Sequence, residues 1–259
     1  MHFYKYQGTG NDFILIDNRG KNLHKTLSTE TISAWCDRRF GIGADGLMLL
    51  TDCEGYDFQM IYYNADGRER SMCGNGGRCI TAFAKKIGIV RKKYNFLAID
   101  GEHQAIMVEN EEIVKLKMAR PQGFRLYNNN EFWLNTGSPH YVIFAEMEID
   151  SLNMVEIGKE IRYNEEFAAE GTNVNLVNIL DKGKLSVRTY ERGVEDETLS
   201  CGTGVTACAY SYVIWNNNFK KVEIQTKGGT LWVEIEDFDK ETEEVWLVGA
   251  ATFVFEGEI

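Results

Sequence analysis

Met72-Cys73-Gly74-Asn75-Gly76-Gly77-Arg78-Cys79 and Ser200-Cys201-Gly202-Thr203-Gly204 are the two stretches on which the rest of the sequence turns. Cys73 and Cys201 are 128 residues apart. Sliding the chain over itself by that separation lays the second stretch on the first without a gap. The same register carries Gly101 onto Gly229, each inside a similar strand–turn–strand stretch. A cysteine followed by Gly-x-Gly recurs by chance, so the second glycine pair is the independent point that fixes the register. The pattern predicts two pseudo-repeats facing each other, with one cysteine from each at their junction.

The flanking sequence reads alike in both repeats. A strand-like run precedes each motif, Asp57 to Tyr63 in one and Lys184 to Tyr190 in the other. A helix-like stretch follows, Gly77 to Ile87 and Val205 to Asn216, with Ala82, Ala84, Ala207 and Ala209 suiting burial on most sides. Gly88 is placed to close the first helix and the Asn216-Asn217-Asn218 run the second. Strand candidates come next: Asn95–Ile99, Gln104–Glu109 and Ile113–Met118, against Val222–Thr226, Thr230–Glu236 and Val245–Gly249. Arg120-Pro121-Gln122-Gly123 is the natural crossing between the halves. The expected class is α+β: two pseudo-symmetric domains, each a curved antiparallel sheet wrapped around a central helix.

Composition narrows the function. The chain has 259 residues and a formal net charge of −11, so it lacks the basic footprint of a nucleic-acid partner. No run of about 18 apolar residues is present, and no basic-then-apolar leader opens the sequence. The expectation is a cytoplasmic protein with no membrane partner. Six cysteines in a chain of this length do not make a disulfide framework. None pair as C-x-x-C, and neither Cys73 nor Cys201 has a histidine within four residues, so no metal site is expected. Cys36, Cys53, Cys79 and Cys208 read as small buried hydrophobes.

A cysteine just before a helix sits where unpaired N–H groups and the helix dipole place positive charge. Its thiolate is favoured there, and the same N–H groups can grip a carboxylate. Lowering a thiol from about 8.5 to roughly 7 requires about 2 kcal/mol. A helix end supplies roughly 0.3–1 kcal/mol when exposed and up to about 2 when partly buried. A further acid–base partner is therefore expected. Donors aimed at a carboxylate that gathers carbanion charge are worth roughly 3–4 kcal/mol each, by analogy with oxyanion holes. Inverting a stereocentre without a cofactor needs a base on one face and an acid on the other, and two opposed thiols meet that need.

Other motifs carry less. Gly41-Ile42-Gly43-Ala44-Asp45-Gly46 matches G-x-G-x-x-G, but it follows a helix-like stretch (Ser28 to Phe40) and precedes a strand (Leu47–Leu50), the reverse of the order dinucleotide binding requires. It reads as a turn. Gly8-Thr9-Gly10-Asn11-Asp12 lacks the third glycine and lysine of a phosphate loop, and the acidic stretch Asp237 to Glu244 reads as a solvated hairpin end.

Taken in order, several stretches resemble the diaminopimelate epimerase family across nearly the whole chain. They are Gly8-Thr9-Gly10-Asn11-Asp12-Phe13, Arg39-Phe40-Gly41-Ile42-Gly43-Ala44-Asp45-Gly46, Asn64-Ala65-Asp66-Gly67, the Cys73 motif, Gly137-Ser138-Pro139-His140, Glu191-Arg192-Gly193 and the Cys201 motif. The resemblance implies a reversible, pyridoxal-phosphate-independent interconversion of LL- and meso-diaminopimelate, in lysine and peptidoglycan precursor synthesis. It implies a homodimer and two domains: residues 1–118 completed by a C-terminal strand, 250–259, and residues 119–249. By the same resemblance Cys73 and Cys201 are the acid–base pair, with His140 and Glu191 tuning them. Backbone N–H groups of Gly74, Asn75, Gly202 and Thr203 would hold the reacting carboxylate. Asn11, Asn64, Asn173 and Arg192 would read the distal end of the substrate, where an arginine fork suits a carboxylate. Many family members have glutamine where Gly46 stands and asparagine where Ser138 stands, which leaves these two distal positions least defined.

Two other functions fit parts of the pattern. A proline or hydroxyproline racemase also pairs cysteines in glycine-rich turns, but its small ring offers no distal carboxylate to Arg192. A non-catalytic thiol switch or metal-binding protein would use the same cysteines as a disulfide or as ligands, although thiolate metal sites normally need three or four protein ligands.

Overall fold

The computed structural model describes residues 1–108, 112–216, 219–238 and 240–259. The chain divides into two compact units, Met1–Leu116 with Gly249–Ile259, and Lys117–Val248.

The first unit runs β1 (His2–Gly8), β2 (Asn11–Asp17), α1 (Thr29–Cys36), β3 (Gly46–Thr51), β4 (Phe58–Asn64), β5 (Glu69–Arg70), α2 (Gly74–Lys86), β6 (Tyr94–Ala98) and β7 (Gly101–Met107). It continues into β8 (Ile113–Met118), which pairs with β7 through Val114, Lys115 and Leu116. Strand β1 pairs antiparallel with β2, and β3 with β4. Two pairings are parallel, β2 with β3 and β4 with β6, and each is bridged by a helix, α1 and α2 respectively. A parallel neighbour requires such a crossover, so the helices are consequences of the pairing.

The second unit repeats this plan. It runs β9 (Gln122–Asn128), β10 (Glu131–Asn135), β11 (Pro139–Phe144), α3 (Met154–Arg162), β12 (Asn173–Asp181), β13 (Lys184–Glu191), β14 (Asp196–Thr198), α4 (Gly202–Asn216), β15 (Lys221–Thr226), β16 (Gly229–Glu236) and β17 (Glu244–Ala250). The parallel pairs are β11 with β12, bridged by α3, and β13 with β15, bridged by α4. Within this unit β9 pairs with β10. In the first unit the corresponding edge of β1 is taken by β18 (Thr252–Glu258), with His2 opposite Glu258. The α+β class with a helix at the heart of each sheet holds, and the sheets are mostly antiparallel with two parallel pairings apiece.

Packing explains why α2 and α4 are central. Nearly every residue from Gly74 to Ala84 is buried, as is nearly every residue from Gly202 to Val213. Phe83 on α2 is fully buried, as are Phe58 and Phe96, whose rings stack at 5.0 Å. Each such aromatic contributes roughly 1.5–3 kcal/mol by leaving water. Gly101 and Gly229 open hairpins at matching places, with φ of 120° and 133°, a backbone region that disfavours side chains. Ala98 pairs with Gly101 and Thr226 with Gly229, so the repeat register read from the sequence also aligns two tight turns.

Several local readings shift. Both central helices start three residues early, at Gly74 and Gly202, because the cysteine is the residue just before the helix and the glycines form the first turn. Gly88 (φ 92°) does end α2: Ile89 N donates to Ala84 O and Gly88 N to Lys85 O. The stretch Ser28 to Phe40 is helical only from Thr29 to Cys36. Asp37 Oδ1 accepts from Arg39 N and Phe40 N, a side-chain turn that replaces further helix. Strand β7 stops at Met107, and Glu109, like Asn217, Asn218 and Asp239, lies outside the described residues. Cys36, Cys79 and Cys208 are buried, whereas Cys53 is half-buried. Glu243 is also buried, bonded to Tyr210 Oη at 3.1 Å, so the acidic stretch is not wholly solvated. Among the described residues no helix is long and apolar enough to cross a membrane.

Candidate active site

In the first unit Cys73 has extended backbone (φ −103°, ψ 149°), and its Sγ accepts from Gly76 N at 3.2 Å. The sulfur thus caps the start of α2, at the positive end of the helix. A side chain at Gly76 would meet Met48 Cε at 2.3 Å and Cys73 Sγ at 3.1 Å, so only glycine lets β3 lie this close under the thiol. Six residues along, Cys79 is fully buried and burial pushes its thiol up to about 12, which keeps it protonated and inert.

Arg78 is the unusual group here. Its guanidinium is completely buried, and burial pulls its pKa down to about 10. Its partners are neutral oxygens: Gly74 O (3.2 Å), Thr9 Oγ1 (2.7 Å), Asn75 Oδ1 (3.0 Å) and Ala250 O (3.4 Å). A polar chain leads outward from it. Asn75 Nδ2 donates to Asn11 Oδ1, and Asn11 Nδ2 donates to Asp45 Oδ2 at 3.0 Å. Arg38 joins Asp45 (2.7 Å) to Asp12 (2.6 Å), and Lys5 closes on Asp12 at 2.7 Å. Burial alone would raise Asp12, but hydrogen bonds and charge from Arg38 and Lys5 hold it near 2. Asn11 and Asn75 are therefore fixed in orientation before any ligand arrives. Gly46 and Asn64 face each other across β3 and β4. A side chain at Gly46 would meet Tyr63 O at 2.4 Å and the Tyr62 ring at 2.6 Å, so Tyr62 fills the space a larger residue would need.

In the second unit Cys201 directly precedes α4, and Val205 N donates to its carbonyl at 2.9 Å. Its Sγ lies 3.3 Å from Thr203 Oγ1, which is 2.9 Å from His140 Nε2. His140 Nδ1 lies 3.1 Å from Asn175 Nδ2. The imidazole is fully buried, and burial, with the nearby charge of Arg192 adding to it, lowers its pKa to about 3. His140 is thus a neutral ring that reaches the thiol through Thr203. A side chain at Gly204 would meet Asn175 Oδ1 at 2.6 Å and the His140 ring at 3.3 Å, so this glycine again permits the close approach beneath the cysteine.

Ser138, Asn173 and Arg192 form a second group in this unit. Asn173 Nδ2 donates to Ser138 Oγ and to Pro139 O, both at 2.8 Å, and Asn173 Oδ1 accepts from Arg192 N at 2.9 Å. Both amide hydrogens of Asn173 are committed to holding the loop at Ser138. Arg192 is exposed and donates from Nη1 to Glu170 O at 2.7 Å. Glu191 is half-buried at the end of β13. Arg78, Asn175, Thr189 and the hydroxyl of Thr203 were not singled out from the sequence. The one usable signal was Arg78, a cation four residues after the first helical glycine, in the part of the helix before Lys85 and Lys86 that is otherwise made of small and apolar residues apart from Asn75 and Thr81.

Comparison with known proteins covers the full chain. The family model described as diaminopimelate epimerase matches residues 3–123 and 132–254. A diaminopimelate epimerase from Flavobacterium psychrophilum is 47% identical over 260 residues, spanning 100% of both chains. A crystal structure of a PhzF-family phenazine biosynthesis protein from Bacillus anthracis superposes with a TM-score of 0.78 at 14% identity, covering 100% of this chain and 98% of the other. One of a hydroxyproline epimerase from Agrobacterium vitis gives a TM-score of 0.66 at 12% identity, covering 100% and 90%. At these identities the likeness to the two solved structures is one of fold.

Proposed function

The chain belongs to the diaminopimelate epimerase family, and from that premise we propose that it interconverts LL- and meso-diaminopimelate with two thiols, Cys73 and Cys201, and no cofactor. One sulfur, as thiolate, takes the α-proton and becomes a thiol. The other, as thiol, gives its proton to the opposite face of the carbanion and becomes a thiolate. One proton leaves and one arrives, and the reverse reaction exchanges the roles. The resting charge then belongs to the pair of thiols rather than to either one.

The observation that carries this reading is that both cysteines stand immediately before the first turn of a buried helix that opens with Gly-x-Gly. The first-turn N–H groups of Gly74, Asn75, Gly202 and Thr203 hold the reacting carboxylate, where the carbanion's charge collects. Asn11, Asn64 and Arg192 meet the distal amino-acid end. Asn173 and Ser138 support it by fixing the loop and the Arg192 backbone. Gly46 leaves its place at that end to Tyr62. Glu191 and the neutral His140 set the proton affinities of the thiols. On this reading residues 1–118 with 250–259, and 119–249, are the two functional halves. The enzyme acts in the cytoplasm as a homodimer, and sedimentation of the purified protein checks the dimer.

The test is turnover by purified protein under reductant, with LL-diaminopimelate and with L-proline offered separately. Epimerisation of diaminopimelate with proline untouched is expected. Turnover of proline alone would overturn the substrate assignment.

A further inference from the structure

We propose that Thr203 is a positioning residue whose hydroxyl joins the uncharged ring of His140 to Cys201, donating to the sulfur when it is a thiolate and accepting from it when it is a thiol. This rests on the two-thiol reading above and adds to the backbone N–H of Thr203 a separate task for its side chain.

The direction of each hydrogen bond follows from its neighbours. Asn175 Oδ1 accepts from Thr189 Oγ1 at 3.0 Å, and Asn175 Nδ2 donates to Tyr141 O at 3.1 Å. A carbonyl oxygen can only accept, so the amide is fixed with its nitrogen toward both Tyr141 O and His140 Nδ1. His140 Nδ1 is therefore the acceptor and Nε2 carries the proton, a tautomer assigned from the network. Nε2–H then donates to Thr203 Oγ1 at 2.9 Å. That contact uses one lone pair of the hydroxyl and leaves its hydrogen to be placed.

A helical threonine usually points its hydroxyl hydrogen at the carbonyl four residues back, as Thr206 does to Gly202 O at 2.8 Å. For Thr203 that residue is Leu199, which lies before the helix and whose carbonyl accepts from Gly228 N at 2.9 Å. The remaining neighbour is Cys201 Sγ at 3.3 Å. A hydroxyl is suited to both states of a cysteine that alternates between base and acid. Toward a thiolate its hydrogen donates, and toward a thiol its second lone pair accepts, with no net proton passing through His140. The charged or titratable groups around the pair are Arg192, whose charge acts on His140, Cys208 further along α4, which interacts with Cys201, and Glu191, on the same face of β13 as Thr189; Tyr141 and Tyr190 pack with α3 on the other face of the sheet. All of them stay in place when only the hydroxyl is removed.

The experiment follows iodoacetamide alkylation of each cysteine against pH by peptide-resolved mass spectrometry, without substrate, in wild type, Thr203→Val, Thr203→Ala and Thr203→Ser. In Thr203→Val and Thr203→Ala the midpoint for Cys201 is expected to rise by about one pH unit, a tenfold smaller thiolate fraction at neutral pH. The Cys73 midpoint does not rise with it, and Thr203→Ser restores the Cys201 midpoint. In the same variants kcat falls with little change in KM. Alkylation of buried Cys208 reports unfolding, and the alanine variant serves should valine disturb the helix start. An unmoved Cys201 midpoint in both hydroxyl-free variants, or a serine variant shifted as far as valine, overturns the proposal. Because the alkylation needs no substrate, it succeeds or fails independently of the diaminopimelate assay.

Discussion

Cys73 and Cys201 head helices that begin alike, yet they rest on different material. In each unit a parallel strand pair runs under the helix start. Leu15 pairs with Met48 and Phe13 with Gly46 in one; Val142 pairs with Asn175 and His140 with Asn173 in the other. Across the next strand Met48 faces Tyr62, while Asn175 faces Thr189. The layer beneath Cys73 is thus Phe13, Met48 and Tyr62, and the layer beneath Cys201 is His140, Asn175 and Thr189. Polarity in the first unit enters instead from the helix itself, through Arg78. Its Nη1 satisfies Gly74 O as Thr206 Oγ1 satisfies Gly202 O. The repeat has kept the backbone that presents a thiol and has let the chemistry around each thiol diverge. In the proposed reaction the two thiols have unequal tasks at one stereocentre, and unequal surroundings suit that.

The sharpest way to break the comparison is to remove each thiol. Cys73→Ala and Cys201→Ala are each expected to lower epimerisation by roughly 10³-fold or more, since acid–base steps are worth about 10²–10⁴ apiece. Circular dichroism should show the fold intact. If either alanine variant turned over near the wild-type rate, the two units would not share one reaction.

The supporting glycines should differ in cost. Gly204→Ala drives a methyl into Asn175 Oδ1, which is held by Thr189, whereas Gly76→Ala meets the end of the flexible Met48 side chain. Urea unfolding is expected to show a loss of roughly 2–3 kcal/mol at Gly204 and about 1 at Gly76, the range of overpacking. Equal losses would mean the polar layer is no stiffer than the apolar one.

Arg78→Met takes away the buried cation and the hydrogen bonds it donates to Gly74 O, Thr9 Oγ1 and Asn75 Oδ1. A loss of about 1–3 kcal/mol is expected in the same unfolding measurement. The amide–amide contact of Asn75 with Asn11 loosens with it, so KM for diaminopimelate rises. An unchanged KM would show that the Arg78 chain does not orient Asn11.

Acid separates the units most gently. His140 is held near 3 in the folded protein against an ordinary 6.5, so the folded state binds its proton less readily than the unfolded chain. The stability tied to the neutral ring is full above about pH 6.5 and is lost as pH falls toward 3. Asp12 is held near 2 against 3.8, so its contribution lasts until pH falls below 3.8. Hydrogen exchange should therefore show β11 and α4 losing protection at a higher pH than β1 and β2. The opposite order would contradict the buried neutral histidine.

Much of this was legible from residue type and spacing. The register of the cysteines and of Gly101 with Gly229 foretold two repeats with matching turns, because turns needing positive φ leave glycine as their mark. Where the helices begin was missed by one turn, since glycines read as loop until the cysteine is seen to cap them. The side-chain chains were illegible for a different reason. Asn175, Thr189 and Arg78 act through contacts with residues 35, 14 and 69 positions away, and no local pattern encodes such partners. Asn173 was legible as a polar site residue, but its commitment to Ser138, Pro139 and Arg192 emerges only in three dimensions.

The most direct test is the fate of the α-hydrogen when LL-diaminopimelate reacts in deuterated water. At early times the meso product should carry deuterium at the inverted carbon while recovered LL substrate keeps its hydrogen, because separate sulfurs take and give. Deuterium entering recovered LL substrate as fast as product, or product formed with the original hydrogen retained, would mean that one base serves both faces.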